Sequence, residues 1–216
     1  MPSNITNQLK YLLNRQLNSH FILLKEKLSI SDIDEALCKF DFCMKNTRGK
    51  YYGENLNIDS FYHSDKHAVF LYYLSRTLFN NQKITMATYV YYLNKIMHSI
   101  DLFYEVEMPD IFTLVHPVGS VLGRGKYKNY FCAYQNCTVG SDTDNNLSHY
   151  PTFGEMILMF AGSKIIGKCN IGSNCIFGAN SFIINTDIPD NSVVVGIYPN
   201  HKILDNKINI YKYIFK

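Results

Sequence analysis

Apolar side chains recur every six residues between positions 153 and 196. A bulky apolar residue opens seven of the eight blocks of six, and glycine follows four of these first positions. The first positions are Phe153, Met159, Ile165, Ile171, Phe177, Ile183, Pro189 and Val195. A period of six is neither the two-residue period of a strand nor the 3.6-residue period of a helix. It is typical of a parallel β-helix, in which residues about 18 apart stack and form a continuous core.

The same period extends upstream in a weaker form. Val115, Val121, Tyr127, Ala133 and Val139 keep the spacing of six, so we assign residues 101–140 to the first coils. Residues 141–152 (SDTDNNLSHYPT) interrupt the period with polar side chains that an apolar core cannot use. We therefore predict a loop that projects from a corner of the β-helix, a position from which loops often carry function.

In the N-terminal half, apolar residues recur at helical intervals and not every six residues. Apolar residues recur at helical intervals over 4–27, and Ser31 with the acidic residues after it predicts a helix that runs to about residue 45. Residues 46–57 contain two glycines and predict a loop. Ser64 and Asp65 predict the start of a helix over about 66–79, and a last helix is predicted over 84–98.

Composition and charge narrow the class of protein. The chain has 216 residues, of which 47 % are hydrophobic, and its scattered cations give a net charge of only +3, so we expect no nucleic-acid partner. The N-terminus lacks a signal peptide and no apolar run is long enough to span a membrane, which predicts a cytoplasmic protein. The six cysteines form no C-x-x-C pair, so we interpret them as reduced structural thiols and predict no metal site.

Two phrases resemble a known family. AGSKIIGKCNIGSNCIFGANSFI and DIPDNSVVVGIYPN are similar to the C-terminal half of serine acetyltransferases, which belong to the hexapeptide-repeat acyltransferases. The resemblance implies an α+β fold: an α-helical domain over 1–100, a left-handed parallel β-helix over 101–205 with the loop 141–152, and a tail over 206–216. It also implies acetyl-CoA as co-substrate and a homotrimer or a dimer of trimers.

Acetyl transfer to a hydroxyl requires a base, for which histidine is suited, and a carboxylate that holds the imidazole tautomer. The family carries its catalytic histidine in an H-x-x-G-x-x-x-G phrase about twenty residues before Q-x-x-T-x-G, and here the first phrase begins at His116. The resemblance implies His116 as general base and Asp101, fifteen residues earlier, as its orienting carboxylate. It implies His149, in the loop phrase S-H-Y-P, as a second imidazole near the acceptor. Asp110 and Glu105 are the alternative carboxylates.

The resemblance also implies a donor groove along one row of the β-helix. The family phrase A-G-A-K offers a backbone N–H group near the thioester, and small residues let the pantetheine arm lie against the coil. A basic residue after the last coil meets the nucleotide phosphates. The corresponding residues here are Ala161, Gly162, Ser163, Lys164, Ala179 and Lys202.

Two departures from the family pattern concern the acceptor. The aspartate before the catalytic histidine is Val115 here, and the arginine before the second histidine is Ser148. A free amino acid carries two charges that its site must compensate, so their loss favours an uncharged acceptor. We therefore predict an O-acetyltransferase that acts on a hydroxyl of a sugar or surface glycan. Serine is the main alternative, since Asp59 or Asp65 could replace a missing charge; an amino-sugar N-acetyltransferase and a non-enzymatic β-helix module are the others.

Overall fold

The computed structural model describes residues 4–21, 26–48 and 56–216. Within these ranges, helices precede a series of short strands, and one helix follows them. The helices are α1 (Asn4–His20), α2 (Ile30–Lys45), a 3-10 helix (Ile58–Tyr62), α3 (Ser64–Asn80), α4 (Ile84–His98) and α5 (Ile210–Ile214). The strands are β1 (Phe112–Leu114), β2 (Val121–Leu122), β3 (Phe131–Ala133), β4 (Thr138–Gly140), β5 (Asp142–Asp144), β6 (Leu147–His149), β7 (Thr152–Phe153), β8 (Ile157–Met159), β9 (Lys164–Ile166), β10 (Asn170–Ile171), β11 (Cys175–Phe177), β12 (Phe182–Ile184), β13 (Ser192–Val195) and β14 (Lys202–Asp205).

The helix predictions hold with small changes at the ends. Helix α4 has the predicted bounds, and α3 begins two residues before the predicted 66. Helix α2 begins earlier than predicted because Ser29 is its N-cap: the Ser29 Oγ accepts a hydrogen bond from the Asp32 N–H at 3.2 Å. The helix predicted over 4–27 ends at His20. Residues 22–25, and 49–55 of the predicted loop, lie outside the described residues.

The strands stack in three parallel sets, one for each face of a β-solenoid. The first set is β1-β3-β8-β11-β13, the second is β2-β4-β9-β12 and the third is β7-β10. Paired residues are 18 apart in the later coils, as in Cys175 with Ile157 and Phe182 with Lys164. Strand β14 then adds antiparallel to β13. The predicted fold class, helices followed by a β-helical solenoid, is confirmed.

The solenoid core contains most of the predicted inward residues. The six from Phe153 to Ile183 are at most 4 % exposed. The predictions for Val115, Val121, Pro189 and Val195 are wrong, because in each case the preceding or following residue faces the core instead. Side chains alternate along a strand, so a shift of one residue moves a side chain from the core to the surface. The buried residues at these places are Leu114, Leu122, Ile188 and Val194.

The predicted projecting loop is a β-hairpin. Strands β5 and β6 pair antiparallel, with Asp142 opposite His149. Asn145 and Asn146 form the turn with φ values of 47° and 64°, the left-handed conformation that a two-residue type I′ turn requires at both positions. Phe131 pairs with Ile157, which is 26 residues away rather than 18, so the hairpin accommodates eight additional residues without breaking the stack.

Helix α3 connects the helices to the solenoid. It packs against α2 and α4, and its Tyr72 and Tyr73 rings lie 5.5 and 5.6 Å from the ring of Phe112 in β1. The Tyr72 hydroxyl donates a hydrogen bond to the Val106 carbonyl at 2.7 Å. These contacts place the first turn of α3 beside the turn that follows β1, which carries His116.

The C-terminal segment folds back over both parts. Ile210 and Phe215 are fully buried against the outward side chains of the first strand stack, which are Ile111, Cys132, Leu158 and Ile176. The Arg48 N–H donates to the Ile214 carbonyl at 2.7 Å, and the Lys216 N–H donates to the Asn46 carbonyl at 3.0 Å. The segment therefore contacts the solenoid and the end of α2 together.

Candidate active site

His116 lies on an exposed turn immediately after β1. Its backbone φ is 49°, in the left-handed region that non-glycine residues rarely adopt, and its carbonyl accepts a hydrogen bond from the Val118 N–H at 2.7 Å. The side chain is 75 % exposed. Strained backbone of this kind costs about 1–3 kcal/mol and is concentrated at functional sites. The turn thus presents an accessible imidazole.

A buried carboxylate lies next to this imidazole. The Asp65 Oδ2 is 4.0 Å from the His116 Nδ1, and the Asp65 side chain is only 6 % exposed. Its other oxygen accepts a hydrogen bond from the Ser64 Oγ at 3.1 Å. Asp65 is in the first turn of α3, where the helix dipole favours a negative charge.

Asp101, the predicted orienting residue, does not contact His116 within the chain. Its Oδ1 accepts a hydrogen bond from the Tyr91 hydroxyl at 2.7 Å, and its Oδ2 pairs with the Lys95 Nζ at 2.6 Å. Burial alone would raise the pKa of Asp101, but the hydrogen bonds from Lys95 and Tyr91 outweigh burial and lower it. The predicted contact assumed a coil of 18 residues, whereas Asp101 bridges to Val121, 20 residues away, and so lies beyond the His116 turn.

Two more histidines lie in the helices near Asp65. The His67 Nδ1 and the His98 Nε2 are 3.0 Å apart. Burial, with a smaller contribution from His98, lowers the pKa of His67 to about 3. Burial lowers the pKa of His98 to about 4, although the charge of Asp65 acts in the opposite direction. Both imidazoles are therefore neutral at pH 7, and neither supplies a cation to Asp65.

His149 is half-buried on β6 and lines a cavity of about 530 Å³. The cavity contains cations and carboxylates, and two of these are already paired, since the Arg124 guanidinium is 3.1 Å from the Glu105 carboxylate. The ammonium groups of Lys126 and Lys168 form no ion pair with any residue in the described ranges. No sequence motif signalled this group of charges, because the hairpin and two different coils contribute to it. His116 lines neither this cavity nor a second one that His149 also lines.

The predicted donor row lies on one corner of the solenoid. The N–H groups of Gly162, Ser163 and Lys164 donate to carbonyls of the solenoid itself, and the Ser163 side chain is fully buried. Ala161 and Ala179 are different: neither N–H donates a hydrogen bond to a described residue. The Asn180 N–H donates to the Ala161 carbonyl at 2.9 Å, so the two alanines lie on adjacent coils. This corner offers two stacked backbone donors.

Gly162 is at the same corner with φ of 75°, and a Cβ atom there would lie 2.3 Å from the Asn180 Oδ1. The corner therefore requires glycine for both conformation and space. Lys202 is exposed on β14 opposite Val195, at the end of the solenoid.

The described part of the chain lacks two other kinds of feature. None of its helices combines the length and apolarity needed to cross a membrane. It also contains no group of three or more histidine, cysteine or acidic side chains arranged to hold a metal ion.

No protein-family model matches the chain. A curated relative, the serine acetyltransferase of Staphylococcus aureus strain Mu50, is 26 % identical over 147 residues, which are 68 % of each chain. The crystal structure of serine acetyltransferase from Vibrio cholerae has a TM-score of 0.73 at 19 % identity and covers 97 % of this chain and 83 % of its own. A serine acetyltransferase in complex with CoA has a TM-score of 0.66 at 20 % identity, covering 94 % and 85 %.

These similarities support an acetyltransferase in general terms and do not point to a sugar or glycan as the acceptor, so the acceptor predicted from the sequence is not confirmed. The resemblance itself is confirmed: this chain is similar in sequence to serine acetyltransferases and has the fold of their solved structures.

Proposed function

We propose that this chain is an acetyl-CoA-dependent O-acetyltransferase whose acceptor is serine or a similar hydroxyl amino acid. The observation that carries the choice of acceptor is that two ammonium groups in the cavity lined by His149, those of Lys126 and Lys168, form no ion pair with a described residue. They offer a partner for the acceptor carboxylate in place of the arginine that Ser148 replaces. The relatives support the same choice, since they are named serine acetyltransferases.

The chemistry needs only groups that the chain offers. The acceptor hydroxyl oxygen attacks the thioester carbonyl while the His116 Nε2 takes its proton. A tetrahedral oxyanion forms and is stabilised by hydrogen-bond donors, for which the N–H groups of Ala161 and Ala179, unpaired among the described residues, are candidates. The C–S bond then breaks, and the thiolate leaves with the proton that His116 accepted.

We propose that the complete site forms between two copies of the chain. Neither of the two cavities that His149 lines among the described residues includes His116, so we place His116 of one subunit opposite the donor corner and His149 of its neighbour in a homotrimer. A monomeric mass in solution together with full activity would contradict this arrangement. Lys202, at the end of the solenoid, is the proposed partner of the nucleotide phosphates.

A sugar or glycan hydroxyl is the second candidate acceptor. Val115 and Ser148 favour it, because they remove the two charges that the family uses for serine. An uncharged acceptor would leave Lys126 and Lys168 without a role in binding.

The deciding experiment measures thiol release from acetyl-CoA by the purified protein with serine and with a panel of sugars and oligosaccharides. We expect release with serine, and a decrease of about 10²–10⁴-fold in turnover for His116→Gln, the usual contribution of a general base. His20→Gln, at an exposed histidine that ends α1, is the matched control and should have no effect. Release with sugars only would replace serine by a glycan as the acceptor. If none of the tested acceptors gives thiol release, an enzymatic function would be contradicted.

A further inference from the structure

We infer that Asp65 is the carboxylate that positions His116 for base catalysis, in the place that the sequence assigned to Asp101. The inference rests on the proposed role of His116 as the base. Its central observation is that the buried Asp65 Oδ2 lies 4.0 Å from the exposed His116 Nδ1, although the two residues are 51 positions apart in the chain.

The Asp65 side chain is fixed, whereas the His116 side chain can rotate, so Asp65 is suited to hold the His116 imidazole in one orientation. Asp65 is held in the first turn of the 17-residue helix α3 by burial and by the Ser64 hydroxyl. The His116 side chain is 75 % exposed on a turn and can rotate. A rotation that shortens the distance by about 1 Å forms an N–H···O bond of ordinary length, and catalytic hydrogen bonds commonly tighten in this way when substrate binds.

The two histidines near Asp65 in the helices do not supply a positive charge to it. A buried carboxylate requires hydrogen bonds or a cation. The His67–His98 pair remains neutral because burial holds both pKa values at about 3 and about 4. The buried Lys66 follows Asp65 in α3. Among the described residues, His116 is the side chain whose ion-pair contact with Asp65 reaches across from the solenoid.

The rival carboxylates are engaged or remote from this contact. Both oxygens of Asp101 bind Tyr91 and Lys95. Glu105 is exposed and pairs with Arg124. Asp110 is exposed, and its backbone carbonyl accepts the Tyr73 hydroxyl at 3.0 Å.

The consequence concerns the tautomer of His116. If the Nδ1–H donates to Asp65, the Nε2 keeps its lone pair and is the atom that can accept a proton from a hydroxyl. Loss of an orienting carboxylate allows the opposite tautomer, in which the Nε2 already carries a proton and cannot act as a base. Asp65 is therefore a positioning residue, and it acts on turnover rather than on acceptor affinity.

The test combines NMR with kinetics. In protein labelled with ¹⁵N-histidine, with the His116 signal assigned by His116→Gln, we expect the Nδ1–H tautomer in the unsubstituted protein and its loss in Asp65→Asn. With serine as acceptor, kcat of Asp65→Asn should fall by about 10²–10³-fold, while KM for serine changes less than about twofold. Asp101→Asn is the comparison variant: if Asp65 rather than Asp101 positions His116, the Nδ1–H tautomer persists in Asp101→Asn and is lost only in Asp65→Asn.

Several outcomes would overturn the inference. These are an Nε2–H tautomer of His116 in the unsubstituted protein, a normal kcat in Asp65→Asn, a raised KM for serine without a change in kcat, or the expected losses in Asp101→Asn instead. If Asp65→Asn does not fold, the tautomer in the unsubstituted protein decides alone. The tautomer is measured without turnover, so a protein that shows it but acetylates no acceptor would refute the proposed function and not the Asp65–His116 contact.

Discussion

The solenoid and the helical region differ in how they hold their polar side chains. At the solenoid corners, asparagines in the left-handed conformation bind the next coil: the Asn185 Oδ1 accepts the Lys168 N–H at 2.7 Å, and the Asn174 amide donates to the Asn191 Oδ1 at 2.9 Å. Each of these contacts joins residues 17 apart and repeats along the stack. The helices instead bury titratable side chains, among them Asp32, Asp65, His67 and His98.

Because of this difference, the two regions contribute differently to the structure and to the chemistry of the proposed site. Among the described residues, the coils bury no acidic or basic side chain, so their interior offers no charge that could tune a catalytic side chain. The helical region has such groups, but they become useful only where α3 meets the solenoid, beside His116. In the proposed mechanism, the solenoid contributes the His116 turn and the backbone donors, while α3 contributes the Asp65 carboxylate beside His116.

The largest expected effect tests whether the two regions behave as one unit. Phe215 is fully buried on the segment that touches both the solenoid and the end of α2. Phe215→Ala should lower the free energy of unfolding by about 3–5 kcal/mol, as is usual for a buried phenylalanine. Chemical denaturation followed by circular dichroism measures this change.

Tyr213→Ala is the control for that substitution, since the Tyr213 side chain is 60 % exposed on the same segment. It should change the stability by less than about 0.5 kcal/mol. Equal effects of the two substitutions would show that the segment does not tie the regions together.

The comparison also explains what the sequence could predict. Period six identified the solenoid because every coil repeats the same local requirement, and it failed at Val121 and Pro189, where the spacing shifts by one residue. The Asp101–His116 contact expected from regular spacing is not present within the chain, because the first coil is irregular and Asp101 pairs with Tyr91 and Lys95 instead. The Asp65–His116 contact depends on how α3 packs on β1, which no local pattern encodes, and for this reason Asp65 appeared only as one of two possible replacement charges.

The next largest effect is a pH dependence of stability that we expect in the helical region and not in the solenoid. His67 and His98 have pKa values of about 3 and about 4 in the folded chain, below the value of about 6.5 in an unfolded chain. The unfolded state therefore binds more protons between these values, so the stability contributed by the neutral pair is present above pH 6.5 and is lost as the pH falls. Between pH 7 and pH 5 the loss should be about 2 kcal/mol for each histidine.

Hydrogen exchange at pH 7 and pH 5 locates this loss. Amides of α3 and α4 should lose protection at pH 5 more strongly than those of β9 and β12, whose coils bury no histidine among the described residues. In a His67→Asn/His98→Asn variant the pH dependence should become nearly flat, even if its stability at pH 7 is lower. A wild-type stability that does not change between pH 7 and pH 5 would contradict the neutral pair.

The smallest effect concerns the hairpin that carries His149. Asn146 has φ of 64°, which glycine adopts freely and a β-branched residue adopts at a cost of about 1–2 kcal/mol. Asn146→Gly should therefore be neutral, and Asn146→Val should weaken the hairpin, seen as faster exchange of the β5 and β6 amides. The global unfolding midpoint should not move, because the hairpin projects from an uninterrupted strand stack in which Phe131 still pairs with Ile157. A shift of that midpoint in Asn146→Val would mean that the hairpin stabilises the coils. The solenoid would then depend on the hairpin for its stability, and the two could not be treated as separate at this corner.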